Sequence, residues 1–399
     1  MSHLMSTYSP QPVAFVRGEG VWLWDSSGKR YLDALAGIAV SGLGHGHPKL
    51  VKAISQQAEK LIHVSNLVQV PEQEALADKL CEISAMDNAF FCNSGAEANE
   101  CAIKLARLFG HKKGVDSPVV IVMEKAFHGR TLATLTATGS RKIQAGFEPL
   151  VTGFIRVPYN DIDSIKNLAR QNPDVVAILM EVVQGEGGVN FAQAQYLRAL
   201  RQLCDEQQWL LMFDEVQSGI GRTGKWFAYQ HANILPDVVS LAKGLGSGVP
   251  IGACLARGPA AQLFKPGNHG TTFGGGPLVS TAALTTLNVL QEEDLLANAA
   301  NIGAHLKTRF ANDLKDVAGV VDVRGVGLMI GIELNRPCPE MVKMALDAGL
   351  IISVTSDSVI RLLPPLIMKQ TEADELVDRL VPVIKSFFAN ATGPQATTR

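Results

Sequence analysis

The sequence carries almost no net charge: 36 Lys and Arg against 38 Asp and Glu leave −2 at pH 7. A chain so balanced gives no electrostatic reason to expect nucleic acid or an anionic membrane as partner. It has no apolar run long enough to cross a bilayer. The first residues lack the basic stretch and apolar core of a secretory leader, so the expected location is cytoplasmic. Met1 to Leu4 read as a cloning remnant ahead of a start at Met5. The six cysteines (Cys81, Cys92, Cys101, Cys204, Cys254, Cys338) form no Cys-x-x-Cys pair and no Cys/His ligand spacing. That argues against a zinc site or a disulfide framework, and for reduced, mostly buried thiols. Internal repeats are missing too. What remains is an ordinary globular composition over 399 residues, enough for two or three domains and a large core.

Several short apolar runs end abruptly in a carboxylate: Val119–Val122 before Glu124, Val175–Met180 before Glu181, and Trp209–Phe213 before Asp214. Between them lie helical patterns, as in Ala98, Cys101, Ala102, Leu105, Leu108 and Phe109, spaced at threes and fours. Apolar strands alternating with helices predict a parallel sheet covered on both faces, with ligands beyond the C-terminal strand ends. Toward the N-terminus, Ser26-Ser27-Gly28 between Trp22–Asp25 and Arg30–Asp33 reads as a hairpin. Near the C-terminus, Thr371 and Asp374 resemble a helix cap, and Pro382 should kink or shorten the helix that follows. The expected division is residues 5–45 and 296–390 as a smaller α+β domain, 46–295 as a large α/β domain, and 391–399 as a disordered tail.

Three elements at strand ends carry the chemistry. Asp214 follows a buried run and requires a cationic or donor partner, because an unpaired buried charge is costly. Lys243 ends the run Val238–Ala242 and enters the glycine-rich turn Gly244-Leu-Gly-Ser-Gly248. Glycines let a ligand approach the backbone, and burial turns a lysine into a nucleophile able to form a Schiff base. Ser94 and Glu97 have the spacing of a capping box, so a helix starts there, and Gly95 and Ala96 leave its amides open to a phosphate. Each feature alone has an ordinary structural explanation: a cap, a salt bridge, a surface lysine. Their conjunction points to a phosphate-bearing cofactor held by a lysine.

The ordered set of motifs resembles the fold-type I, class III pyridoxal-phosphate aminotransferases, and most closely the acetylornithine branch of that family. The likeness includes Tyr8 and Pro10, Val16-Arg-Gly-Glu-Gly20, Leu23-Trp-Asp25, Gly44-His-Gly-His-Pro48, Asn93-Ser-Gly-Ala-Glu-Ala-Asn99 and Phe127-His-Gly-Arg-Thr131. It continues through Gln184-Gly-Glu-Gly-Gly188, Phe213-Asp-Glu-Val-Gln217, Lys243 and His269-Gly-Thr-Thr-Phe-Gly274. The resemblance implies an α/β fold with a mostly parallel seven-stranded sheet and a smaller α+β domain built from both termini. It implies pyridoxal 5′-phosphate as a Schiff base on Lys243, the residue that shuttles the substrate proton. Asp214 would pair with the ring nitrogen, Ser94, Gly95 and Ala96 would hold the phosphate, and Phe127 and Val216 would cover the two ring faces. Gln217 would reach the ring oxygen, and Glu215 lies within the same cofactor-binding segment. Thr272 would reach the phosphate from the partner subunit of a homodimer, with Thr271 beside it facing substrate. Arg130 and Arg361 would bind the carboxylates of a dicarboxylate acceptor, and Glu186 would mask Arg361 when an ω-amine donor is bound.

The resemblance implies transamination of N2-acetylornithine at its δ-amine by 2-oxoglutarate, giving N-acetylglutamate 5-semialdehyde and glutamate. That is a step of arginine biosynthesis, with N-succinyl-diaminopimelate in lysine synthesis as a second substrate. Ile38, in Ala36-Gly-Ile-Ala-Val40, stands where ornithine δ-aminotransferases place a substrate-contacting tyrosine, which argues against ornithine. Other class III donors (succinylornithine, GABA or a diamine) share every cofactor residue. A non-catalytic cofactor-binding protein is disfavoured by the intact Lys243, Asp214 and arginine pair. A racemase or aminomutase is disfavoured by the dicarboxylate-binding arginines. The sequence departs from the family at Gly276, usually Asn, and at Val182, usually Pro, with small effects expected. No metal is expected: His45 and His47 suggest a pair but lack an acidic third ligand. His128 reads as bordering the cofactor pocket without a required chemical role.

Overall fold

Runs of aliphatic residues without polar interruption have two faces to bury, and the chain gathers them into one sheet. The computed structural model describes residues 3–389, so the tail expected at 391–399 lies outside the described residues. The sheet strands are β1 (Asn88–Cys92), β2 (Val119–Met123), β3 (Phe154–Val157), β4 (Val175–Glu181), β5 (Leu210–Asp214), β6 (Val238–Leu241) and β7 (Gly252–Ala256). Their order is β1-β7-β6-β5-β4-β2-β3, a seven-stranded sheet in which β7 alone runs antiparallel to its neighbours. This is the mostly parallel α/β architecture expected of fold-type I. Alternation along each strand sorts its side chains to two cores. Val120 and Val122 pack with Cys101, Ala102 and Leu105 of helix α1 (Gly95–Lys112). Ile121 and Met123 face the opposite core, shared with Leu197 and Leu200 of helix α2 (Ala194–Gln207). The parallel strands thereby bring the residues at their C-terminal ends to one edge: Glu181 and Asp214 are direct register partners there.

The two ends of the chain meet. Phe15–Glu19, Trp22–Asp25 and Arg30–Asp33 form a meander, with the turn at Ser26–Gly28 as expected, and Leu350–Ile351 pairs in parallel with Leu32–Asp33. A second sheet holds β8 (Val320–Val326), β9 (Met329–Leu334), β10 (Ser353–Thr355) and β11 (Val359–Leu362), antiparallel in the order β8-β9-β11-β10. The last helix differs from expectation at both points. It begins at Gln370, with the Lys369 amide donating to Glu372 Oε2 at 2.8 Å, so Thr371 is inside it. It also runs on through Pro382 to Ala389. Leu380, Val381 and Ile384 around the proline are buried in the main core, and that packing outweighs a lost helical hydrogen bond. No helix among the described residues is long and apolar enough to cross a membrane.

One junction between the N-terminal meander and the sheet edge is strained. Ala36, Gly37, Ile38 and Ala39 all lie in the left-handed region, with φ of 49°, 63°, 64° and 64°. This costs about 1–2 kcal/mol for each residue other than glycine. Asp33 holds the turn: its Oδ1 accepts from the amides of Leu35 (2.9 Å) and Ala36 (2.8 Å), while Oδ2 pairs with His45 Nε2 at 2.9 Å. His47 pairs instead with Glu293 at 3.5 Å, so the two histidines serve separate carboxylates. Replacing Asp33 by alanine removes all three bonds and should cost about 2–4 kcal/mol. An unchanged urea midpoint in Asp33→Ala would show that the turn is held by something else.

Candidate active site

The strand edge encloses a cavity of about 440 Å³, within the range that admits a cofactor and a small substrate. Its floor is the start of α1. Ser94 is the N-cap, its Oγ accepting from the Glu97 amide at 3.2 Å. Glu97 reaches one residue beyond the expected box, accepting from the Asn93 amide at 2.6 Å and from Asn93 Nδ2 at 2.9 Å. The first amides of a helix have no partner within it, so Gly95 and Ala96 present open N–H groups in the cavity wall at the positive end of an 18-residue helix. Gly95 admits no side chain: a Cβ there would sit 2.7 and 2.8 Å from the Val216 methyls.

Asp214 ends β5 and is 4% exposed. Its Oδ2 accepts from Asn99 Nδ2 at 2.7 Å and lies 2.8 Å from His128 Nδ1; its Oδ1 accepts from the Val216 amide at 3.0 Å. A carboxylate only accepts, so the proton of His128 sits on Nδ1. His128 is therefore more than a border of the pocket: with Asn99, it fixes Asp214. The next residue turns the other way. Glu215 lies outside the cavity lining, its carboxylate accepting from Ser218 Oγ at 2.6 Å and the Tyr229 amide at 2.9 Å, and burial pushes it up to about 7. Glu215, the first residue past the strand, is thus placed away from the cavity, while Asp214 faces it.

Lys243 enters a short turn directly after β6, with its backbone left-handed at φ 44°. Its Nζ has no hydrogen-bond partner among the described residues, and the side chain lines the cavity. Burial lowers its pKa, and the Arg361 guanidinium lowers it further; Glu186, Asp214 and Glu181 act in the opposite sense. The outcome is a lysine shifted toward its neutral, nucleophilic form. Phe127 and Val216 also line the space, as do Arg130 and Gln217. The Arg130 guanidinium lies 5.6 Å from the Phe127 ring centre.

A second carboxylate stands beside Asp214. Glu181, 5% exposed, accepts from the amides of Phe127 (2.9 Å) and Gly185 (3.1 Å), and burial pushes it up to about 7. It thereby joins the loop carrying Phe127 to the loop carrying Glu186. Beyond that loop, Arg361 Nη1 pairs with Glu186 Oε1 at 2.6 Å and donates to Gln217 Oε1 at 3.3 Å. Arg361 is 2% exposed, so this ion pair is the buried cation's main compensation.

Besides Glu215, four expected residues do not line this cavity: Thr271, Thr272, Ile38 and Arg361, the last meeting it through Glu186 and Gln217. Thr271 and Thr272 are outside this cavity; Thr271 lines a neighbouring one with Ser65, Asn66 and His269. Ile38 does not line the cavity, whereas Val40, past the left-handed turn, does. Asn99, His128 and Glu181 were not singled out for this role. A buried asparagine on an otherwise apolar helix face was the signal available for Asn99.

The donor set fits a flat, phosphate-bearing, nitrogen-containing ring with an electrophilic carbon. A helix N-terminus suits the phosphate, Asp214 a protonated ring nitrogen, Phe127 and Val216 the two faces, and Lys243 the carbon. The aminotransferase class-III family model matches residues 5–384. The acetylornithine aminotransferase of Nitrosomonas europaea is 59% identical, covering 97% of this chain and 99% of its own length. Acetylornithine aminotransferase 1 of Bordetella parapertussis is 58% identical over the same shares. Among solved structures, an ornithine aminotransferase from Toxoplasma gondii with partial occupancy of PLP at its active site superposes with a TM-score of 0.95. It is 31% identical and covers 98% of this chain and 93% of its own. Gly95→Ala should place a methyl against Val216 and weaken pyridoxal phosphate binding at least roughly tenfold, with circular dichroism unchanged. Unaltered affinity in a cofactor titration would remove the helix start from the phosphate site.

Proposed function

The chain belongs to the class-III aminotransferases, and on that premise we propose that it transfers the δ-amino group of N2-acetylornithine to 2-oxoglutarate. The products are N-acetylglutamate 5-semialdehyde and glutamate, a step of arginine biosynthesis. Pyridoxal phosphate is held at Lys243. When bound, it supplies a carbon that takes up the amino group and a ring that accepts the electron pair left by proton removal.

The protein's own residues do the rest. The amides of Gly95 and Ala96, with Ser94, hold the phosphate. Asp214, fixed by Asn99, His128 and the Val216 amide, keeps a proton at the ring nitrogen. Phe127 and Val216 confine the ring between them. Lys243 would hold the cofactor through Nζ, and the same Nζ is placed to remove and return the proton of the amine-bearing carbon. Its lowered pKa serves both tasks.

The pair Arg361–Glu186 is the observation that carries the substrate reading. An ω-amine donor has no carboxylate at its reacting carbon, so Glu186 stays on Arg361. 2-Oxoglutarate brings a carboxylate beside its keto carbon, displaces Glu186 and takes the guanidinium; Arg130 receives the carboxylate at the far end. One site thus accepts two differently charged substrates in turn. Thr271 and Thr272 reach the site of a second copy, so the working form is a homodimer. Exposed apolar residues near that region, Leu67 (94%), Val68 (59%) and Phe273 (65%), support this reading.

Single-turnover absorbance of the holoenzyme tests the proposal. Acetylornithine should bleach the cofactor band faster than succinylornithine, ornithine or GABA, and 2-oxoglutarate should restore it. A band that acetylornithine leaves unchanged would remove it as the donor. Arg361→Ala should slow the 2-oxoglutarate half at least roughly 100-fold while sparing the acetylornithine half. Equal losses in both halves would mean that Glu186 masks nothing.

A further inference from the structure

The exchange at Arg361 needs a guanidinium that stays aimed when Glu186 leaves it. We propose that Ser353 is the positioning residue that does this, and that strand β10 anchors both halves of the exchange so that only the Glu186 side chain moves. The inference rests on the reading of Arg361 as the carboxylate site.

The geometry begins with register. Ser353 and Arg361 are direct partners across the antiparallel β10–β11 pair, so their side chains leave the sheet on the same face. Ser353 Oγ accepts from Arg361 Nε at 3.2 Å. Glu186 and Gln217 both take Nη1, and Nη2 has no hydrogen-bond partner among the described residues. The three nitrogens thus divide the work: Nε is tied to the sheet, Nη1 is covered, and Nη2 is free. A carboxylate binds a guanidinium best through two parallel hydrogen bonds. When Glu186 leaves, Nη1 keeps only its longer 3.3 Å bond to Gln217, so a carboxylate can take the vacated N–H together with Nη2, while Ser353 on Nε fixes the direction of the group.

The same strand grips the loop that carries Glu186. Thr355 Oγ1, buried at the end of β10, donates to the Glu186 carbonyl, and Ser356 Oγ donates to the Gly187 carbonyl at 3.2 Å. Arg324 Nη2 donates to the Gly188 carbonyl at 2.6 Å, and its Nε to the Val189 carbonyl at 3.1 Å. From the other side, Glu181 takes the Gly185 amide and Gln184 Nε2 donates to the Glu124 carbonyl at 2.7 Å. Every residue from Gln184 to Val189 is therefore held through its backbone or its side chain, and the Glu186 carboxylate is held by Arg361. That side chain is 38% exposed, against 2% for Arg361. The partner with room to leave is the acid, and the backbone beneath it is held.

The test is the half-reaction split of Ser353→Ala, measured beside Arg361→Ala and Ser353→Thr. Loss of one hydrogen bond to the guanidinium should raise the apparent Kd for 2-oxoglutarate roughly three- to tenfold. The acetylornithine half should stay unchanged, and Ser353→Thr, which keeps the hydroxyl, should restore the acceptor half. Equal loss in both halves, or no rescue by threonine, would reduce Ser353 to ordinary packing and overturn the inference. So would an unaltered Kd in Ser353→Ala while Arg361→Ala is impaired. An unimpaired Arg361→Ala would overturn the reading of Arg361 itself, and the inference with it.

Discussion

A carboxylate buried at the end of a parallel strand is stable only if its surroundings are built to receive it. At Asp214 those surroundings come from three separate parts of the chain: Asn99 on α1, His128 on the loop after β2, and the Val216 amide on the loop after β5. Satisfying one anion therefore brings together the helix whose N-terminus can hold a phosphate, the loop with Phe127 and Arg130, and the segment with Val216 and Gln217. Removing either side-chain donor would leave charge underpaired where water cannot replace it. The carboxylate is both the reason these elements converge and the group that would hold a proton on the cofactor ring.

The remainder of the site divides between rigidity and strain. Lys243 is left-handed, and so are the residues from Ala36 to Ala39 ahead of Val40, which lines the same cavity. Such conformations persist only where neighbours over-determine them, as Asp33 does for the second. Arg361 and Glu186 stand apart from this stiffness. They are oppositely charged, one deeply buried and the other partly exposed, so the acid is the partner with room to move. Alternate binding of an amine and a dicarboxylate asks for that asymmetry.

Much of this was legible in the sequence because it violates a physical expectation. Asp214 and Lys243 are charged residues that close apolar runs, and Ser94-Gly-Ala-Glu97 marks a helix start with no bulk in the way. What was not legible depends on distance or on direction. Asn99 and His128 meet a partner 115 and 86 residues away, which no local spacing reveals. Glu215 is adjacent to Asp214 in sequence, but its carboxylate is taken by Ser218 and the Tyr229 amide, away from the cavity. Val40 and not Ile38 lines the cavity, after four consecutive left-handed residues, and nothing in Ala-Gly-Ile-Ala-Val announces that turn. The helix through Pro382 shows tertiary packing overriding a local breaker. The functional motifs sit at strand ends, where geometry is set by the sheet, so their placement followed from recognising the strands.

The central claim is that Lys243, out of all the lysines, carries the cofactor. The direct measurement is borohydride reduction of the holoenzyme followed by peptide mass spectrometry. Reduction fixes the imine as a stable secondary amine, which marks its residue permanently. One pyridoxyl group per chain is expected on the peptide containing Lys243, in the segment Ser240-Leu-Ala-Lys-Gly-Leu245. A label on any other lysine, or no label on a chain that holds its cofactor, would contradict that claim.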